Sequence, residues 1–565
     1  MQENNRGEKK SFSGEKRNFS KGGSRRGSFS KGREDSRGKR PYAKDGDKKP
    51  YRKDGEKDFK KPFRKDGEKD FKKPFRRDGE RDFTMRNGGK PRFDRKSDSK
   101  KNDKPYTNRF ELQPKEEEKG VSLARLTAFR IIQDVTVRGA YTALALNEVL
   151  KVNELPDVDK RLCTNIVYTT IENLIRLDYI IDAHMEKPSY EPALRDVLRM
   201  SVAQLLFMDK IPSFAVINEG VKLMRIVSIV ETWAGVVNGV LRNIVRHQET
   251  FEWPKEEENL PLYLSVMHSM PVWLVNKFIA TFGEEKAKEI ISYTKKDNRT
   301  CIRPNLMHIS KEKFEAMLIA KGWDFEKGLV EGSYLIKNID SIAEDEDYIK
   351  GNFSVQGQSS MLAAMAVENT LGMTVLDACA APGGKTFFMA EKQQGSGRVY
   401  SWDIHNHRVD LIRQSMYRLS PGNVRVAVCD ASKYREDMFE YFDRVLIDAP
   451  CSNLGVMQEK PDVKYNVKEE EMQSLLDTQY KILENCAKYL KVGGILVYST
   501  CSIMPEENEV QVAKFLANHK EYSALPMPAS FPAEMQDTNG GIGLSIFAHT
   551  SGLEGFYIAR LQKNA

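Results

Sequence analysis

The first 110 residues contain no leucine, isoleucine or valine. A chain folds around side chains that it can withdraw from water, and a stretch without them has little to offset the entropy of being ordered. The same stretch carries 38 basic and 19 acidic residues, whereas residues 111–565 carry 51 and 62. The net charge of +8 thus averages a strongly basic arm and an acidic remainder. Residues 1–118 are expected to be a disordered arm, and only the remainder can build cores.

The arm contains a repeat. Pro50, Pro62 and Pro74 head the units KPYRKDGEKDFK, KPFRKDGEKDFK and KPFRRDGERDF. Twelve residues of this kind offer no apolar face to stack through, which excludes a solenoid. Their Lys and Arg suit phosphate contact and their Phe and Tyr suit base stacking, so the arm reads as a nonspecific RNA-binding segment. A mixed-charge linker is the competing reading.

Several classes fall away. At about 150 residues per domain, 565 residues imply several domains. No apolar run approaches the roughly 18 residues that span a bilayer, so no membrane partner is expected. The amino terminus has no apolar segment of the secretory kind, and its acidic residues disfavour a transit peptide. Seven cysteines, an odd and scattered set without a C-x-x-C pair, suit a reducing compartment. They offer no zinc ribbon, and no metal is expected. The chain reads as a cytoplasmic protein, expected to be monomeric.

Residues 119–250 switch to helical periodicity. Leu123, Leu126, Ile131 and Val135 recur at helical spacing, followed by Ala143, Leu146, Val149 and Leu150. Further apolar stretches run over 158–184, 191–209, 214–228 and 231–247, without strand-like alternation. This is an all-α domain. AVINEGVKL (215–223) and VVNGVLRNI (236–244), with Asn238, Gly239 and Arg242, resemble the NusB family of helical RNA-binding domains, which implies RNA contact. A plain helical packing module is the alternative.

Residues 255–350 mix the two patterns. Helices are expected at 271–283 and 311–322, and strands at 299–305 and 333–339, a small α/β unit placed for RNA recognition. Residues 351–565 alternate strands and helices regularly. MTVLDACAAPGGKTFFMA (373–390) is an apolar strand that ends in an acid, followed by a glycine-rich turn and a helix. Such a unit brings backbone N–H groups at a helix start up to a polar cofactor. It is no Walker loop, because the first glycine of that motif would fall at Cys379. G-x-G-x-x-G is also absent, which disfavours nicotinamide and flavin.

Three more strands end in acids. RVYSWD stops at Asp403, where a carboxylate can accept from ribose hydroxyls. VRVAVCD stops at Asp430, and RVLIDAPC places Asp448, Pro450 and Cys451 at the next end. For Asp403 and Asp430 a helix-capping role competes. Cys501 follows the strand in GGILVYSTCSIMPEENE (493–509). Cys163, Cys379 and Cys486 read as small buried hydrophobes, whereas Cys451 and Cys501 both lie past strand ends, on the ligand-binding edge. His405 and His407 read as surface loop.

Together DACAAPGGKT, VYSWD, DAPCS and YSTCS-x-x-PEEN resemble the RsmB/Nop/Sun family of RNA cytosine-5 methyltransferases, over roughly 121–565. The NusB-like segment points to its bacterial branch, which acts on small-subunit (16S) ribosomal RNA. The resemblance implies a Rossmann-like class I methyltransferase domain that binds S-adenosylmethionine. Cys379, Ala380, Ala381, Pro382, Gly383, Gly384, Lys385, Asp403, Asp430 and Asp448 would hold this cofactor. It also implies Cys501 as nucleophile, Cys451 as the group that assists release, and Asp448 as the contact to the base. Two stretches depart from the pattern: Gln458-Glu459-Lys460 replaces a more basic run, and Gly357 stands where an acid is common.

The chemistry explains the need for thiols. C5 of cytosine is a poor nucleophile until a thiolate adds at C6, which makes covalent catalysis the route. An ordinary thiol, with a pKa of about 8.5, is mostly protonated at neutrality, so a nearby cation such as Lys385 favours attack. The base must leave its stack, which favours single-stranded or flipped targets. Two alternatives stand beside this reading. One is a non-catalytic NusB-like RNA-binding or antitermination factor with a degenerate methyltransferase domain. The other is a DNA cytosine methyltransferase, whose Pro-Cys pair Pro450-Cys451 would match.

Overall fold

The computed structural model describes residues 120–564 except 154, 296–298, 338, 340–341 and 537–540. The basic arm and its repeat lie outside the described residues.

Seven helices fill the first region: α1 (Leu123–Arg138), α2 (Thr142–Val152), α3 (Asp157–Glu172), α4 (Leu174–Ala183), α5 (Pro192–Phe207), α6 (Ser213–Val227) and α7 (Thr232–His247). The apolar stretch 158–184 is two helices, divided at Asn173. α1 ends because Gly139 turns to φ 70°, a left-handed conformation that costs glycine nothing, and its N–H closes on the Val135 carbonyl. α5 opens on proline, whose missing N–H is no loss in a first turn. Their inward stripes form one core around Leu126, Ile131, Ile166, Val197 and Leu241. Ala143 faces solvent and Ala145 takes its place inside, a one-position offset within α2. Asn238, Gly239 and Arg242 lie away from the buried stripe of α7, and the Arg242 guanidinium donates to Asn238 Oδ1 at 3.0 Å.

The next segment divides in two. Helices α8 (Leu260–Met267), α9 (Val272–Phe282) and α10 (Glu284–Ser292) form a small core of their own, into which Leu454, Met457, Ile503 and Met504 insert. These helices therefore support, from behind, the loops that carry Cys451 and Cys501. The expected strand–helix–strand alternation follows as β1 (Thr300–Pro304), α11 (Lys311–Ala320), β2 (Phe325–Lys327) and β3 (Tyr334–Ile336). Its sheet is antiparallel, in the order β2-β3-β1-β4, and β4 (Phe353–Val355) completes it from beyond residue 350.

The last region is a twisted sheet flanked by helices. In chain order it runs α12 (Gln358–Met365), β5 (Thr374–Asp377), α13 (Gly384–Lys392), β6 (Arg398–Asp403), α14 (Asn406–Leu419), β7 (Val424–Val428) and β8 (Phe442–Asp448). It continues with α15 (Met472–Lys488), β9 (Leu490–Thr500), α16 (Glu509–Asn518), β10 (Tyr522–Leu525), β11 (Leu544–Ile546) and β12 (Phe556–Lys563). The strand order is β10-β12-β9-β8-β5-β6-β7; β7, β6, β5, β8 and β9 are parallel, while β12 and β10 join antiparallel. From β5 the chain winds one way to β6 and β7, then returns to the other side of β5 as β8. Ligands bind outside the carboxyl ends at such a reversal. The crevice beyond Asp377 and Asp448 is the place to look.

Candidate active site

β5 delivers Asp377 to the crevice fully buried. Its Oδ2 accepts the Thr386 hydroxyl at 2.6 Å, and its Oδ1 has no partner. Burial pushes this carboxyl up to about 7. The turn that follows needs glycine: at Gly383 φ is 108°, and a Cβ would stand 2.7 Å from the Phe387 ring. Ala380 and Ala381 are buried and Pro382 is exposed, while Cys379 packs on the core beside β5, where burial pushes its thiol well above the ordinary range. Gly384 opens α13 without a side-chain cap, and its helix start faces the crevice.

Asp403 ends β6 and is almost fully buried. Its Oδ2 accepts the Ala381 N–H at 3.3 Å and its Oδ1 the His405 N–H at 3.1 Å, so it joins the glycine-rich turn to the next loop. Oδ2 also pairs with the Arg408 guanidinium at 3.3 Å, so the lone pair left over is on Oδ1. Asp430 is tied to its own turn: its Oδ1 accepts both the N–H and the hydroxyl of Ser432, and these bonds hold it below the usual carboxylate range. The helix-capping role weighed for both acids is not the one they take: α14 starts after His405 without a side-chain cap, and both acids bond within turns instead. His405 and His407 stack on each other, and no group of metal-ligating side chains occurs among the described residues.

Lys385 leaves the first turn of α13 and donates to Asp448 Oδ2 at 2.7 Å, while the Ser499 hydroxyl donates to Asp448 Oδ1 at 3.0 Å. Burial works against the Lys385 charge, but Asp448 outweighs it and holds the ammonium above the ordinary lysine range. This cation stands near the thiols.

The two cysteines meet. Cys451 Sγ lies 3.4 Å from Cys501 Sγ, and the Cys501 thiol donates to Asn453 Oδ1 at 2.9 Å. Asn453 Nδ2 donates to the Cys451 carbonyl at 3.1 Å, which fixes the amide with its oxygen toward Cys501. Asn453 adopts φ 60°, a conformation that asparagine tolerates better than most residues. The hydrogen bond to Cys501, with burial, holds the Cys451 thiol well above the ordinary range. With the Cys501 S–H committed to Asn453, the Cys451 S–H is the one available to Cys501 Sγ. Cys163 and Cys486 are buried in cores, as expected of small hydrophobes.

Sequence reasoning singled out the cysteines and missed what holds them. Glu507 is fully buried. Its Oε2 accepts the Ser452 N–H at 2.8 Å and the Gln479 amide at 3.0 Å, and its Oε1 accepts the hydroxyls of Ser452 and Ser502. One carboxylate thus fastens the residue after each cysteine. Asn508 adds bonds to the Ser502 carbonyl and the Thr500 hydroxyl. Gly455 donates its N–H to the Cys501 carbonyl and accepts from Gly555, and a Cβ on Gly555 would lie 2.7 Å from Gly455 Cα. The signal was legible only as the PEEN motif.

Both departures have structural counterparts. At Gly357 the space a side chain would enter is occupied by the Glu554 carboxylate, which accepts the Ser359 N–H at 3.3 Å. An acid is present there, from another segment. Glu459 accepts from Lys295 at 2.9 Å, so this stretch is held to the linker after α10.

The geometry can now be set against known proteins. A family model described as 16S rRNA methyltransferase RsmB/F matches residues 364–562, and the NusB family model matches 122–246. A probable ribosomal RNA small subunit methyltransferase B of Bacillus subtilis (strain 168) is 36% identical over 433 residues, covering 75% of this chain and 95% of that protein. The chain belongs to the RsmB family. The ribosomal RNA small subunit methyltransferase B of Shewanella oneidensis is 31% identical over 444 residues, covering 78% of this chain and 99% of the relative. The crystal structure of PH0851 superimposes with a TM-score of 0.67 at 25% identity, covering 80% of this chain and 99% of that one. The resemblance read from the motifs and from the NusB-like helices holds, and RsmB membership accounts for a multidomain chain with a helical region ahead of a Rossmann-like sheet. No helix among the described residues is long and apolar enough to cross a membrane.

Proposed function

We propose that this RsmB-family protein transfers a methyl group from S-adenosylmethionine to C5 of a cytosine in small-subunit ribosomal RNA, through a covalent bond between Cys501 and C6. The observation that carries the reading is the thiol pair, 3.4 Å apart, at the carboxyl edge of the sheet beside the Lys385–Asp448 ion pair. The residues present fit the cofactor. The unpartnered Asp377 Oδ1, the uncapped start of α13 and the remaining lone pair of Asp403 Oδ1 are polar groups in want of a ligand, around a turn where a Cβ would not fit. Cys379 to Lys385, Asp403, Asp430 and Asp448 would hold it. When bound, S-adenosylmethionine supplies an electrophilic methyl group.

The chain's own residues supply the rest. Cys451 donates its S–H to Cys501 Sγ, and the Lys385 ammonium stands near; both stabilise negative charge on Cys501. The thiolate adds to C6, and the electrons of the C5–C6 double bond make C5 nucleophilic. Asp448, with a lone pair left on each oxygen, accepts from the base's exocyclic amine. Once C5 carries the methyl, its proton must leave; the pair of electrons re-forms C5–C6 and expels Cys501. Cys451, once it has released its own S–H to solvent, is placed as the thiolate that takes that proton. Bond formation at Cys501 removes the first cause that holds the Cys451 thiol up, which eases loss of the Cys451 proton before that step.

Two thiols and an ordered cofactor turn weigh against a non-catalytic RNA-binding factor. In a DNA enzyme the Pro-Cys thiol, Cys451, would attack; here Cys451 is the donor of the pair. The test is bisulfite sequencing of a small-subunit rRNA transcript incubated with protein and S-adenosylmethionine. One or more protected cytosines are expected. No protection, with cofactor binding measured directly, would overturn the reading.

A further inference from the structure

Beside Cys451 a cavity of about 350 Å³ opens between the helical region and the sheet region. Cys451, Asn453, Asn466, Ser474 and Thr478 line it, as does Tyr141 from the loop that precedes α2. Phe129 and Tyr168 pack in or against the core of the helical region, while Tyr190, Phe214 and Tyr141 are exposed. Of these three only Tyr141 lines the cavity. It is 54% exposed, caps nothing with its side chain, and has neither a hydrogen bond from its hydroxyl nor a ring partner among the described residues.

Resting on the RNA reading above, we propose that this cavity receives an unpaired base adjoining the target nucleotide, stacked on Tyr141. Three observations converge. Cys451 lines the cavity, so any strand that brings a base to the two thiols passes its mouth. Its volume is at the small end of ligand sites, enough for one ring system. Its walls combine an unpartnered aromatic face and the apolar Val463, Val467, Met472 and Leu475 with uncharged amides and hydroxyls, the chemistry that grips a base by its face and edges. Lys468 and Glu471 both line the cavity and pair with each other, so the rim carries no net charge. A protein segment could fill such a space, but only the substrate strand must be at Cys451 in every turnover. Tyr141 thereby becomes a positioning residue by which the NusB-like region registers the RNA on the catalytic thiols.

The test compares Tyr141→Ala and Tyr141→Phe in the full chain, with a small-subunit rRNA transcript as substrate. Tyr141→Ala should raise the KM for RNA roughly 5- to 150-fold, the worth of one base–aromatic stack, and leave S-adenosylmethionine affinity and melting temperature unchanged. Tyr141→Phe should keep the wild-type KM. Irradiated 4-thiouridine-substituted transcript should cross-link to the peptide spanning residue 141, and lose that link in the alanine variant. An alanine KM within twofold of wild type, an equal rise in Tyr141→Phe, or a cross-link elsewhere would overturn the subsite. Wild-type methylation of cytosine separates this failure from failure of the RNA reading, since the latter would leave no methylated cytosine with any variant.

Discussion

The two walls of the crevice are built on different plans. On the cofactor wall each group is held by chain close to it or by the adjoining strand's loop: Asp403 by Ala381 and His405, Asp430 by Ser432, Asp377 by Thr386. On the thiol wall the two cysteines come from loops 50 residues apart, and a buried carboxylate on the second of these loops, Glu507, fastens both. Turn chemistry suffices to aim carboxylates at a ligand. Two thiols on different loops within 3.4 Å need a clamp that bonds to both loops. If this contrast is real, damage to one wall should leave the other working.

The thiols give the largest expected effect. Cys501→Ala should bind cofactor and RNA yet lose at least about a thousandfold in methyl transfer, as removal of a nucleophile does. Cys451→Ala should methylate once and stall, leaving a protein–RNA adduct that survives denaturing gels. Adducts from Cys501→Ala instead would reverse the roles.

Asp377→Asn tests whether the cofactor wall carries a stability cost. The folded carboxyl, at about 7, titrates above its unfolded value near 3.9, so the folded chain holds the extra proton between these values. Stability from this group is full below about pH 4 and declines as pH rises to 7. The asparagine variant lacks that slope and should be more stable at pH 8 by on the order of 2–4 kcal/mol. Urea unfolding at pH 5 and pH 8 reads the difference, while cofactor affinity should fall. A variant no more stable at pH 8 than the wild type would show Asp377 to be compensated.

Glu507→Gln keeps the shape of the clamp, but its amide offers one acceptor oxygen to four donors. Loss of a shared buried acceptor, worth roughly 1–3 kcal/mol, should lower kcat about 5- to 150-fold. Calorimetric cofactor affinity should stay within twofold; a parallel loss of affinity would erase the distinction between the walls.

Asp403→Ala is the mirror experiment, with the smallest effect. Cofactor affinity should fall by a factor in the lower part of that range, because main-chain groups of the turn remain, at a cost of about 1–2 kcal/mol. Alkylation of Cys501 by iodoacetamide should proceed at the wild-type rate. A changed rate would couple the walls.

The same division separates what was legible in the chain from what was not. Strands ending at Asp377, Asp403 and Asp448, the glycine-rich turn and the position of Cys501 past β9 follow from alternation, turn residues and spacing, all of which act within a few residues of chain. The helical periodicity of 123–247 was equally plain, although Ala143 turned out to face solvent. By itself the sequence determined which segments become strands and helices, and which side chains stand at their ends. Only the tertiary structure decided that Cys451 reaches Cys501, that Glu507 clamps both loops, that Glu554 fills the space at Gly357, that the small sheet is antiparallel and that Tyr141 overlooks Cys451. Each of those depends on which distant segments meet, and such pairings are selected by packing and by the need to satisfy buried polar groups across the whole core, which no local window of residues contains.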